Sequence, residues 1–127
     1  MKSCPFCELE APRIFAACKC AVAIKDVFLV TPGHALVIPR RHVSSIYDLT
    51  DGEQAAIWAF VGKVRQTLAE DLAVDSFNIG VNDGTAAGQT IEHAHIHMIP
   101  RRAGDVSDPR GGIRQAIPDK ARYWGAR

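Results

Sequence analysis

Several features that mark large protein classes are missing from this 127-residue chain. Its net charge is only +1, which argues against a general binder of nucleic acids or other polyanions, so any phosphate recognition should be local. No apolar run is long enough to span a membrane, and the first residues lack the apolar core of a secretory signal. We therefore expect a cytoplasmic protein without a membrane or nucleic-acid partner.

Two common phosphate-binding motifs are absent as well. Neither G-x-x-x-x-G-K-[ST] nor G-x-G-x-x-G occurs, which excludes a P-loop and a Rossmann pyrophosphate site. The chain contains no internal repeat or low-complexity segment, and its length suits one core that needs no disulfide. We expect a single domain over residues 1–127, with an irregular Gly-, Pro-, Asp- and Arg-rich tail from about residue 101.

Cysteine is scarce, with four residues in two close pairs. Thiols stay reduced in the cytoplasm, so these residues are better interpreted as metal ligands or buried apolar groups than as disulfides. Cys4 and Cys7 form a C-x-x-C half-site for zinc. Cys18 and Cys20 would complete a four-cysteine site, although the spacing also permits no metal at all.

Apolar periodicity predicts an α+β fold around an antiparallel sheet. The helical pattern runs from Asp51 to about Leu72, where Thr50 or Asp51 can cap the N-terminus and Glu53 lies in the first turn. Extended segments are predicted at residues 21–24, 27–30, 34–39 and 76–81.

The most informative segment is Ile91–Pro100, in which three of the five histidines alternate with apolar residues. In a strand, His93, His95 and His97 share one face, whereas a helix would scatter them. Such an array has two plausible uses. One imidazole can attack phosphorus to form a covalent phosphoramidate, or the three can bind a metal such as zinc.

The loop before this segment favours the phosphate chemistry. Gly84 and Gly88 allow backbone N–H groups to approach phosphate oxygens, and Gln89 and Thr90 can donate hydrogen bonds. A metal site would not need such a loop. The alternative is that the loop is only a tight connection between strands.

The sequence resembles the histidine triad (HIT) family, whose signature is His-x-His-x-His followed by apolar residues. The similarity covers roughly residues 4–102, through segments 26–42, 78–84 and 88–99. It implies a five-stranded antiparallel sheet with one long helix, and a homodimer in which two sheets join into one.

The resemblance also implies roles for individual residues. His95 would be the nucleophile that attacks the α-phosphate, with His97 holding phosphate oxygens and Asn82 near the leaving group. His34 would orient the nucleophile's ring, and Asp26 would bind the ribose, although a plain turn residue is the alternative there. The implied substrate contacts are Asp26, Asn82, Gly88, Gln89, Thr90, Ile91 and His97, and the implied base pocket is Phe6, Ile24 and Val27.

The resemblance further completes the zinc half-site. Cys4 and Cys7 would be joined by His42 and His93 in a structural zinc site, leaving His95 and His97 as the working pair. The implied route requires no catalytic metal, and magnesium would accompany a polyphosphate substrate.

The function implied is hydrolysis of an AMP-containing substrate, a dinucleoside polyphosphate or an adenosine phosphoramidate, through a nucleotidyl-histidine. The tail resembles those of bacterial dinucleoside polyphosphate hydrolases. There Arg110 and Arg114 would meet outer phosphates or remain solvated, and Trp124 would pack on its own domain or on a partner subunit. The alternatives are transfer to another acceptor and a non-catalytic purine nucleotide-binding module for signalling or scaffolding.

Overall fold

The computed structural model describes residues 4–125, which form one five-stranded antiparallel sheet with a long helix on one face. The strands are β1 (Ile14–Ala17), β2 (Ala21–Lys25), β3 (Ala35–Pro39), β4 (Ser76–Gly80) and β5 (Ile96–Arg101). The strand order is β1-β2-β3-β5-β4, so the histidine-bearing β5 is interior and β1 and β4 are the edges. The predicted fold class is confirmed.

The long helix α1 (Asp51–Leu72) begins at a capping box. The Thr50 hydroxyl accepts a hydrogen bond from the Glu53 N–H at 3.1 Å, and the Glu53 carboxylate accepts one from the Thr50 N–H at 2.9 Å. Its buried side chains pack against the inner face of the sheet, and they are Ile57, Phe60, Val61, Val64 and Leu68. The predicted helix is therefore confirmed with its cap.

The opposite face of the sheet carries a second, smaller apolar cluster. Val22, Ile24, Leu36 and Ile38 are buried there. Phe6, Leu9 and Ile14 pack over them from the N-terminal segment. His97 lies on this outer face, because it pairs with Leu36 across the ladder. The face of the sheet that α1 does not cover therefore carries His97.

The prediction of a strand at residues 27–30 is wrong. These residues form a loop, with Phe28 86% exposed, and β1 is the fifth strand instead. The physical reason lies in the N–H groups of the loop. Phe28 donates to the Asp26 carboxylate at 2.9 Å, and Val30 donates to the His34 ring at 3.2 Å, so neither pairs with a strand.

The histidine strand is shorter than its alternation predicts. It begins at Ile96, where pairing with Val37 starts, so His93 and His95 precede the ladder and only His97 lies in it. Ala94 instead donates its N–H to the Val43 carbonyl at 2.7 Å, outside the sheet. This contact holds the segment against the loop after β3.

The tail is mostly irregular, with two short helical turns at Gly112–Ala116 and Pro118–Ala121 (α2). It lies beside the edge strand β4, where a Cβ on Gly80 would come 3.2 Å from Ile113 Cδ1. Within residues 4–125, no helix is long and apolar enough to cross a membrane.

Candidate functional site

The five histidines come together from three parts of the fold. His34 precedes β3, His42 follows it, and His93, His95 and His97 lie before and within β5. Ring centroids of His95 and His97 are 5.1 Å apart, those of His34 and His97 are 5.3 Å apart, and those of His42 and His93 are 4.9 Å apart. Because β3 and β5 are hydrogen-bonded neighbours, their pairing creates this cluster.

His95 is held in one tautomer by the backbone. Its Nδ1 lies 2.8 Å from the carbonyl oxygen of His93, and a carbonyl can only accept. His95 Nδ1–H is therefore the donor, which leaves Nε2 with a free lone pair. The side chain is only 8% exposed, so the ring is fixed in place with a nucleophilic nitrogen.

His34 and His97 form a second chain of hydrogen bonds. The Val30 N–H donates to His34 Nδ1, so neutral His34 carries its proton on Nε2. That Nε2–H donates to His97 Nδ1 at 3.0 Å, and His97 must then carry its own proton on Nε2. The structure thus places His34 against His97, whereas the resemblance implied that it orients His95.

Asp26 lies beside this chain, with Oδ2 3.5 Å from His34 Nε2. Burial lowers the pKa of His34, and the Asp26 charge partly opposes that shift. Burial, followed by the charges of His95 and His34, lowers the pKa of His97 to about 4. Both rings are therefore neutral at pH 7, so His97 is a neutral hydrogen-bond donor there.

Cys4, Cys7, His42 and His93 form a cluster whose candidate ligand atoms all lie within 4.8 Å of one another. His93 Nδ1 is 3.3 Å from Cys4 Sγ, 3.5 Å from Cys7 Sγ and 3.1 Å from His42 Nδ1. Tetrahedral zinc, with Zn–S of about 2.3 Å and Zn–N of about 2.0 Å, requires ligand separations of about 3.3–3.8 Å. The cluster therefore has the chemistry and nearly the dimensions to hold a metal ion.

The tautomer of His93 suits this use. Its Nε2–H donates to the Pro39 carbonyl at 2.8 Å, which leaves Nδ1 unprotonated and directed at the sulfurs. Desolvation raises the pKa of the Cys7 thiol, and its hydrogen bond and Coulombic interaction with Cys4 raise it further. Thiolates rather than thiols are metal ligands, so metal binding at this cluster would release the Cys7 proton. Cys18 and Cys20 lie elsewhere, between β1 and β2, and do not join the cluster.

The glycine-rich loop is held together by Gln89. Its Oε1 accepts the Gly84 N–H at 2.8 Å, while its Nε2 donates to the carbonyls of Ser44 and Ile91. The two hydrogen bonds of Gln89 Nε2 thus join the loop to its own end and to the segment after β3. Gly84 and Gly88 have φ of +102° and +98°, which favour glycine.

The remaining expected substrate contacts are spread along that loop and its neighbours. Asn82 and Thr90 are exposed and Ile91 is half-buried. In the expected base pocket, Phe6 lies beside the site, 5.2 Å between ring centroids from His95, and Ile24 is fully buried in the cluster that Phe6 covers. Val27 is 66% exposed in the β2–β3 loop.

The tail arginines are occupied within the tail itself. Arg110 pairs with Asp108 at 3.0 Å and lies over the Trp124 ring at 4.5 Å, and Arg114 donates to the carbonyls of Lys120 and Ala121. Both guanidinium groups thus have partners within the tail. The contact with Arg110 also places the Trp124 ring against its own chain.

Sequence reasoning missed Gly80 and Ile113. Gly80 is the β4 partner of His97 in the ladder, and Ile113 lies over it. A glycine within a predicted strand was the available signal, because it often marks a close approach. Two cavities, of about 730 and 600 Å³, have no histidine in their lining. The candidate site is therefore identified by its side chains and their hydrogen bonds, and not by the shape of the surface.

Comparisons with known proteins find relatives of this chain. The chain is 38% identical over 96 residues to an asymmetrical bis(5'-nucleosyl)-tetraphosphatase of Schizosaccharomyces pombe, covering 76% of this chain and 53% of that protein. It is 37% identical over 109 residues to an AP-4-A phosphorylase of Mycobacterium tuberculosis, covering 81% and 56%. It thus spans about half the length of these relatives.

A zinc-bound histidine triad family protein from Mycobacterium smegmatis has a similar structure, with a TM-score of 0.69 and 38% identity, covering 84% of this chain and 80% of that one. The HIT domain model matches residues 10–104. This match covers most of the chain and includes all five histidines, which are His34, His42, His93, His95 and His97. The chain therefore belongs to the HIT domain family.

Proposed function

We propose that this chain is a nucleotide hydrolase that cleaves AMP-containing substrates at the α-phosphate, with His95 as the nucleophile. The observation that carries the proposal is the tautomer of His95, whose Nδ1–H is donated to the His93 carbonyl so that Nε2 is free to attack. The names of the relatives support the substrate class, since they act on dinucleoside tetraphosphates.

The proposed reaction has two displacements. His95 Nε2 attacks the α-phosphorus, a P–N bond forms, and the P–O bond to the leaving nucleotide breaks with its electron pair remaining on oxygen. Water then attacks the same phosphorus, the P–N bond breaks, and AMP is released with His95 restored. His97 Nε2–H donates to a phosphoryl oxygen in both steps and stabilises the charge that develops there.

Around this centre, we propose that Asp26 accepts hydrogen bonds from the ribose hydroxyls and that Phe6 contacts the base. The Asp26 carboxylate can accept further hydrogen bonds, because Oδ1 accepts only the one from the Phe28 N–H. Gly88, Thr90 and Ile91 supply the phosphate-facing backbone and Asn82 lies near the leaving group, while Gln89 acts indirectly by shaping the loop. Magnesium enters with the polyphosphate.

The test is a substrate panel of diadenosine tetraphosphate, diadenosine triphosphate and AMP-amide, combined with intact-mass analysis after an alkaline denaturing quench. We expect turnover and an AMP adduct in the wild type, and neither in His95→Ala. The matched control is His97→Asn, which keeps the nucleophile and should still form the adduct, at a reduced rate. Hydrolysis by His95→Ala would refute the proposal.

A second candidate is phosphorolysis, which one relative's name, AP-4-A phosphorylase, specifically favours. Inorganic phosphate would then replace water in the second displacement. With diadenosine tetraphosphate, hydrolysis yields AMP and ATP, whereas phosphorolysis yields ADP and ATP. Product analysis with and without added phosphate separates the two.

A non-catalytic nucleotide-binding role predicts a different result from the same panel. Binding of AMP by the wild type with neither turnover nor an adduct would favour that role. The buried, single-tautomer His95 argues against it, because binding alone does not require a nucleophilic nitrogen.

We also propose that Cys4, Cys7, His42 and His93 bind a structural zinc ion. The ligand geometry supports this, as does the zinc-bound relative. Elemental analysis should find about one zinc per wild-type chain and much less in Cys7→Ser, with Cys20→Ser as the matched thiol control that keeps its zinc. Thiolate ligands of this kind are compatible with a reducing cytoplasm.

We propose a homodimer that joins two sheets along β4, since β4 is one edge of the sheet and its outer side has no strand partner among the described residues. The exposed face of α1 offers Trp58, which is 42% exposed, as a further contact. Sedimentation equilibrium should give twice the chain mass, and a lower value for Trp58→Glu.

A further inference from the structure

A second pair of sulfurs lies away from the histidines, in the turn between β1 and β2. Cys18 Sγ and Cys20 Sγ are 3.6 Å apart, and both side chains are half-buried. The turn is closed by the Cys18 N–H, which donates to the Ala21 carbonyl at 2.9 Å. A disulfide needs an S–S distance of about 2.05 Å, so the sulfurs are close enough to bond after a small side-chain movement.

Both cysteines are among the residues that line the larger of the two cavities, of about 730 Å³, together with several cationic residues. Lys19, Arg40 and Lys63 line it, whereas Arg41 is neutralised by Glu53 at 2.8 Å. Phe60 contributes an apolar wall. The cavity therefore combines two thiols with an excess of positive charge.

Arg40 fixes the turn to this cavity. Its Nε donates to the Cys18 carbonyl at 3.1 Å, and its N–H donates to the Cys20 carbonyl at 2.9 Å. Arg40, Lys19 and Lys63 therefore place positive charge around the cavity that both cysteines line. The same charges attract an anionic partner.

We propose that Cys18 and Cys20 are a reversible dithiol–disulfide couple whose oxidant is a small anionic disulfide that enters the cationic cavity. One cysteine, as its thiolate, attacks one sulfur of the small disulfide, forming a mixed disulfide and releasing one thiolate. The other cysteine then loses its proton and attacks the protein sulfur of the mixed disulfide, which breaks as the second thiolate leaves. Two protein thiols are oxidised to one disulfide, and the small disulfide is reduced to two thiols that take up the two protons.

Either cysteine can make the first attack, because the two sulfurs are 3.6 Å apart and the second attack is intramolecular in both orders. Burial raises the pKa of Cys20, and its hydrogen bond with the Cys18 sulfur raises it further.

The sequence offers a direct assay. Trypsin cleaves after Arg13, Lys19 and Lys25, so the two cysteines fall in adjacent peptides, 14–19 and 20–25. After incubation of the full chain with oxidised glutathione and alkylation of free thiols, non-reducing mass spectrometry should find these peptides joined, with the Cys4 and Cys7 peptide separate. Reduced glutathione in excess should separate them again.

Two variants and a second oxidant complete the test. Cys20→Ser should stop at a glutathione adduct on Cys18. Cystamine, a cationic disulfide, should react about tenfold more slowly than oxidised glutathione, because the positive charge of the cavity repels it, and Lys63→Glu should reduce that difference. Peptides 14–19 and 20–25 that remain unlinked at equilibrium would overturn the couple, and equal rates with both oxidants would overturn the anionic partner.

Discussion

Replacement of His34 by leucine should slow the proposed reaction without unfolding the chain. His34 Nε2–H is the donor that fixes His97 Nδ1 as an acceptor, at 3.0 Å. Leucine fills the space but donates nothing, so His97 becomes free to carry its proton on Nδ1 instead. Its Nε2 lone pair would then face the phosphate oxygens and repel them.

The size of the effect follows from burial. His34 is 3% exposed, so water cannot easily replace the lost donor. A buried polar atom left without its partner costs about 1–3 kcal/mol. Because about 1.4 kcal/mol corresponds to a factor of ten in rate, kcat should fall by about 10- to 100-fold in His34→Leu.

The matched control is His34→Gln. A glutamine amide can donate to His97 Nδ1 while its oxygen accepts the Val30 N–H, so both contacts of the histidine can be reproduced. This variant should keep kcat within about tenfold of the wild type.

The assay is steady-state hydrolysis of diadenosine tetraphosphate at pH 7, with thermal unfolding to confirm the fold and ¹⁵N shifts to report the tautomer of His97. An unchanged kcat in His34→Leu, with His97 still protonated on Nε2, would refute the reasoning. So would an equal loss in both variants, since the hydrogen bond would then not be the cause.

Three further predictions concern other contacts. The Asp26 charge raises the pKa of His97, so Asp26→Asn should move its NMR titration to pH values below about 4, and an upward shift would contradict this assignment. Gly80→Ala should lower the rate of hydrolysis, because the new Cβ would lie 3.2 Å from Ile113 Cδ1. Adding Ile113→Ala should restore the rate. If the double variant is no faster than Gly80→Ala, this contact is not the cause. Thr50→Ala should lower the free energy of unfolding in urea by about 1 kcal/mol, and no change would mean that the capping box adds nothing.

The elements with strong periodicity were predictable from sequence. α1 has apolar residues at helical spacing and a Thr50–Glu53 capping pattern, and the structure reproduces both. The strands at 34–39 and 76–81 were also found, each within one residue of the observed bounds. In these segments, local propensity and burial favour the same structure.

The fifth strand was misassigned because an apolar segment does not have to pair with a neighbouring strand. Residues 27–30 are all apolar and look like a strand, yet two of their N–H groups donate to the side chains of Asp26 and His34. β1 is short, alanine-rich and irregular in register, so it carries little sequence signal. Its position is set by β2, which already needs a neighbour on that edge.

The departure of β5 from its predicted length bears directly on the chemistry. Had the strand extended back through His93, as the alternation indicated, the His93 carbonyl would be drawn into hydrogen bonds with a neighbouring strand. Because the ladder begins at Ile96, that carbonyl is free to accept from His95 Nδ1. The nucleophilic tautomer therefore depends on where the strand ends. Every residue has a carbonyl, so no side-chain pattern could have indicated this contact. The resemblance implied different roles for the three histidines, and the fold supplies the hydrogen bond that sets the His95 ring apart.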